Sequence, residues 1–133
     1  MWTRLTHAFL ALVIALNIYR AATCSITIDE AFTYNSFVAP PLIQVMSTYD
    51  ANHHVLHSLL AKLTTGVLGQ SEFTLRLPSL AGGVVYLGAA STLCRFLFGA
   101  GPLAFFGVVL LALNPLTLDY QSMARGYGPA MGP

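Results

Sequence analysis

Three long apolar runs leave this chain few ways to fold. They cover residues 5–23, 80–98 and 103–118, and each approaches the ~20 residues needed to cross a bilayer core about 30 Å thick. Little else in the sequence could offset them in water. Charged residues make up only 8% of the chain and hydrophobic ones 56%, whereas a soluble domain carries roughly 25% charged residues. Six basic and five acidic side chains cannot cover a globule of 133 residues. A free soluble enzyme and a disordered tail are therefore excluded. So is a nucleic-acid binder, because a net charge of +1 offers no basic stripe for phosphates. The composition indicates an all-α integral membrane protein in a single unit, residues 1–133.

The runs differ in how they begin and end. The first follows Arg4 and closes on Tyr19 and Arg20, which suit a membrane interface, so it reads as an uncleaved helix rather than a signal peptide. Residues 25–51 are polar and interrupted by Pro40-Pro41, as expected of a water-facing acidic loop with short helices. Residues 52–69 are apolar but carry His53, His54, His57, Lys62, Thr64 and Thr65. Such groups suit a surface or re-entrant helix better than a lipid-facing one, with Lys62 as an interfacial anchor. Ser71-Glu72 marks the next helix start, with Pro78 near its first turn. Ser79 and Gly83 have the spacing that lets a neighbouring helix approach closely. Asn114-Pro115 should kink or end the last run. The expected fold is about three transmembrane helices plus one surface helix. Cys24 and Cys94, at opposite ends of two spans, should not pair.

Four short motifs occur in order: Asp29-Glu30-Ala31-Phe32, Asn52-His53-His54-Val55-Leu56, Ser71 through Arg76-Leu77-Pro78-Ser79, and Ala124-Arg125-Gly126-Tyr127. Together they resemble the N-terminal portion of the GT-C membrane glycosyltransferases, nearest the protein O-mannosyltransferase and aminoarabinose-transferase type. The resemblance covers residues 28–128 and implies an incomplete GT-C core, the first part of a longer enzyme, inactive alone. His54 and Val55 stand where the family has two prolines, and no acid closely follows Arg125.

The implied reaction moves a sugar from a polyprenyl-phosphate donor to a lipid, glycan or protein acceptor at the outer face of a bacterial or archaeal plasma membrane. A carboxylate must take the acceptor's proton. By the resemblance that is Asp29, with Glu30 in support. Arg76 and Arg125 would recognise the lipid phosphate, since guanidinium binds phosphate oxygens in pairs; both could equally be snorkelling anchors. His53 and His57, four apart, could share a helix face and bind a metal or the lipid phosphate. If a divalent metal ion takes part, Asp29 and Asp119 are the carboxylates left to hold it. Two other readings stand beside this one: part of a transporter, or a small structural membrane subunit without chemistry.

Overall fold

The structure is a computed structural model and describes residues 1–50 and 53–124. Among these residues it is all helix: α1 (Trp2–Thr23), α2 (Ile28–Thr33), α3 (Leu42–Ser47), α4 (Val55–Leu68), α5 (Glu72–Phe98), α6 (Pro102–Ala112) and α7 (Pro115–Ser122). A π-helical turn, Tyr34–Val38, continues α2.

At 22 and 27 residues, α1 and α5 are long and apolar enough to cross a membrane; at 1.5 Å per residue they measure about 33 and 40 Å. The third apolar run is broken where the sequence placed a break. Pro115 cannot continue α6, and Asn114 turns its side chain to accept from the Leu116 amide, starting α7. The two segments bend by 62° and together qualify as one broken span or a re-entrant pair. At 14 residues α4 is about 21 Å long, well short of a bilayer core.

The long helices form an antiparallel bundle. Near its N-terminus α1 meets the end of α5 and the start of α6, where Phe9 and Leu10 pack on Cys94, Ala104 and Val108. Trp2 and Phe9 both set their rings against Phe105. Midway, Val13, Leu87 and Ala112 close a second cluster. Further along, Asn17 donates to Gln121 at 2.8 Å, and Arg20 ion-pairs with Asp119. Gly83 faces Gln121 so closely that a Cβ would lie 2.8 Å from its Cγ. The small-residue signal at Gly83 is thus taken by α7 of the same chain. Outward faces carry Leu12, Phe96, Leu103 and Leu110, all largely exposed, as expected where the surrounding solvent is lipid.

α5 starts where Ser71-Glu72 placed it, and only Pro78 departs from expectation. Ser71 and Thr74 form a reciprocal capping box, so the helix begins at Glu72 and Pro78 lies inside it, beyond the first turn. A proline there has no N–H for the carbonyl four residues back. That carbonyl belongs to Thr74, and the Thr64 hydroxyl of α4 reaches it at 2.8 Å. The defect is mended from the neighbouring helix. The π-helical turn is stabilised similarly: Lys62 donates to the carbonyls of Val38 (2.6 Å) and Pro40. This corrects the expectation of Lys62 as an interfacial anchor; its ammonium is spent on backbone carbonyls that a helix end leaves open.

Candidate functional site

The acidic pair sits on the first turn of α2. Thr27 caps the helix, and Glu30, three residues on, returns the bond to the Thr27 amide at 2.9 Å. This reciprocal box fixes Glu30 so that its carboxylate points into the protein, where it is fully buried. There it meets Arg76, also buried, from the second turn of α5. Arg76 Nε donates to Glu30 Oε1 and Nη2 to Oε2, both at 2.8 Å. The remaining donors reach the carbonyls of Ala21 (2.9 Å), Cys24 (2.6 Å) and Ser25 (3.1 Å). All five guanidinium N–H groups are used, three of them on the end of α1 and the segment after it.

Glu30 Oε1 also accepts from the Ala124 amide at 2.6 Å, tying the segment after α7 to the same point. Burial alone would raise the Glu30 carboxyl. The hydrogen bonds from Arg76, Ala124 and Thr27, with the arginine's charge, outweigh it and hold the group below its ordinary value. One ion pair therefore joins the chain at four places: the end of α1, α2, α5 and Ala124.

Asp29, one residue before Glu30, is exposed. At the second position of α2 its charge lies near the positive end of the helix dipole. Neighbouring acids thus have opposite placements, one at the surface and one sealed against arginine.

The other sequence-predicted residues are distributed differently from expectation. Arg76 is committed to Glu30 and backbone carbonyls, which leaves it no N–H for a lipid phosphate in this arrangement. His53 precedes α4, so it and His57 do not share a helix face; the helix starts only at Val55. The His53 ring instead stacks on Phe37, centroids 4.3 Å apart, with Nδ1 3.1 Å from the Thr48 carbonyl oxygen. His57, in the first turn of α4, is buried, and among the described residues neither ring nitrogen has a hydrogen-bond partner. Burial, then the neighbouring His54, depresses its pKa to about 4, against weaker upward pulls from Glu30 and the nearby Ala124 backbone. Asp119 is held by Arg20. Among the described residues no three His, Cys, Asp or Glu side chains converge, so the Asp29 and Asp119 assignment finds no metal-binding set there. Arg125 lies outside the described residues.

Sequence reasoning missed the role of Thr27, although Thr-x-x-Glu before a short helix is a readable capping signal. It also missed Asn17 and Gln121, whose buried amides join α1 to α7; a lone polar residue in an apolar run was the available sign. No known protein family, curated protein or solved structure matches this chain.

Proposed function

We propose that this chain supplies the acidic-loop portion of a GT-C-type glycosyltransferase that uses a polyprenyl-phosphate sugar, with α1, α5 and the bent α6–α7 pair as three spans and α4 along the outer membrane surface. The observation that carries the reading is the division of labour between the two acids. Glu30 is consumed by Arg76, Ala124 and Thr27, while Asp29 stays at the exposed surface of the same rigid turn. A general base needs a carboxylate at the surface, on a support that cannot drift.

In the reaction, the Asp29 carboxylate takes the proton of the acceptor hydroxyl or amine. The acceptor's lone pair forms the new bond to the sugar's anomeric carbon as the bond from that carbon to the phosphate oxygen breaks. The electron pair leaves with the polyprenyl phosphate. Arg76 acts here through Glu30, as a positioning residue for the turn that bears Asp29. Arg125, one residue beyond the anchored Ala124, is the arginine assigned to the departing phosphate.

The test is transfer from a polyprenyl-phosphate sugar in membranes holding the longest chain that the reading frame encodes, with insertion verified for each variant. Asp29→Asn should lower the rate by about 10²–10⁴, while Glu30→Gln should chiefly lower the amount of folded protein. Near-normal turnover by Asp29→Asn would remove the basis of this reading. One observation favours a transporter instead: the 62° break between α6 and α7, since transport sites are often built on discontinuous helices. Substrate or proton flux in liposomes without glycosyl transfer would select that alternative.

A further inference from the structure

The end of the bundle away from the Glu30–Arg76 pair holds a separate cavity, mostly apolar but with a few polar groups. It lies between α1 and α5, has a volume of about 320 Å³, and is lined by His7, Leu10, Gly88, Ser91, Thr92 and Arg95. Arg95 is nineteen residues beyond Arg76 on the same helix, about 28 Å along its axis. That is close to the ~30 Å thickness of the hydrocarbon core. If Arg76 lies at one membrane surface, the cavity lies at the other.

Its charge is one-sided. The five acids are Asp29, Glu30, Asp50, Glu72 and Asp119. Glu72 opens α5 at the opposite end from Arg95, and Asp119 is held by Arg20 at the clamp end of α1. Among the described residues neither Arg4 nor Arg95 has an ion pair, whereas Arg20 and Arg76 are both paired internally. Cations without acidic partners gather at the cytoplasmic ends of membrane helices, where the leaflet carries anionic lipids. The cavity is also open: a Cβ built on Gly88 would meet nothing within 4 Å. Thr92 turns its hydroxyl back to the Gly88 carbonyl at 2.9 Å, so its donor is used, while Ser91, His7 and the Arg95 fork offer theirs.

We propose that this cavity seats the phosphate headgroup of an anionic phospholipid from the leaflet at the Arg4–Arg95 end. Arg95 grips two phosphate oxygens, Ser91 and His7 donate to the others, and Leu10 meets the first methylenes of the lipid. The proposal does not depend on the glycosyltransferase reading, because it concerns the opposite membrane surface and none of the residues used there.

The experiment uses the purified full chain in zwitterionic phosphatidylcholine nanodiscs doped with phosphatidylglycerol, with bound lipid read by native mass spectrometry. Wild type should retain phosphatidylglycerol preferentially. Arg95→Gln should cut that preference about fivefold, and Arg95→Lys, which keeps the charge but not the fork, should restore only part of it. Gly88→Leu should fill the cavity and abolish retention while helicity and melting temperature hold, since leucine is a better helix former than glycine. Inorganic phosphate at millimolar concentration should fail to displace the lipid. An unchanged preference in both Arg95→Gln and Gly88→Leu overturns the site, as does equal retention of the two lipids by wild type. Displacement by inorganic phosphate would overturn the lipid as its source.

Discussion

Replacing Arg76 by lysine tests the clamp with the least confusion, because it keeps the positive charge opposite Glu30 and removes only the planar fork. Guanidinium brings five donors to five acceptors: both Glu30 oxygens and the carbonyls of Ala21, Cys24 and Ser25. An ammonium has three donors, so two of these hydrogen bonds are lost. A hydrogen bond to a charged group contributes about 1.5–3 kcal/mol, less where it is part-buried, which puts Arg76→Lys at about 2–6 kcal/mol. At about 3–5 °C per kcal/mol for a chain of this length, the melting temperature in detergent should fall by at least about 6 °C. Hydrogen exchange at the Ala124 amide should accelerate with it, because its acceptor is the Glu30 oxygen that Arg76 orients. Asp29→Asn, on the exposed side of the same turn, should change both far less, by no more than the loss of about 0.3–1 kcal/mol of helix-dipole stabilisation. If Arg76→Lys melts within about 2 °C of wild type with the Ala124 amide still protected, the fork does not organise this junction and the reasoning is wrong.

His57 sets the acid limit. Its pKa of about 4 lies below its ordinary 6.5, so folding favours the neutral ring. That stability is complete above pH 6.5 and drains away as pH falls towards 4, to a total of about 3 kcal/mol. His57→Leu should flatten the melting temperature against pH in that window; an unchanged slope would exclude His57 as its cause. Loss from Glu30 belongs to a more acid range, because its carboxyl is held below its ordinary 4.5. Gly83→Ala would place a methyl against the Cβ and Cγ of Gln121 and should cost about 1–3 kcal/mol, recovered largely by adding Gln121→Ala. Thermal melts of the two variants decide it. Oxidised protein should contain no Cys24–Cys94 bridge by peptide mass mapping. Cys24 caps the end of α1 beside Arg76, whereas Cys94 lies eighteen residues further along α5, about 27 Å away along the axis.

The two clear spans and the break at Asn114-Pro115 were legible because each rests on a local signal: a hydropathy run or a proline. So was the start of α5, where Ser71-Glu72 reads as a cap. Pro78 was placed too near the first turn, because the cap lies seven residues before it. The burial of Arg76 in the second turn has no local signal. The Glu30–Arg76 pair joins positions 46 residues apart, and no period or motif in a single sequence reports such a partnership. The opposite placements of Asp29 and Glu30 were half legible. Thr27 and Glu30 spell a capping box, and a residue in such a box has its side chain committed. The spacing of His53 and His57 misled for a simpler reason: four residues share a face only when both lie in the helix.

The loan of a hydroxyl from Thr64 to the Thr74 carbonyl bears on the order in which the molecule is made. During synthesis α4 emerges before α5, and α5 cannot complete its own ladder at Pro78. Left alone at the membrane surface, that turn would hold a carbonyl its own helix cannot satisfy. The helical hairpin of α4 and α5, rather than α5 by itself, is then the smallest piece that satisfies it within the protein. Replacing Thr64 by valine should retard insertion of α5 in a cell-free translation with microsomes. Adding Pro78→Ala, which restores the missing N–H, should relieve the delay. If the single and double variants insert at the same rate as wild type, assembly of the pair does not pass through this bond.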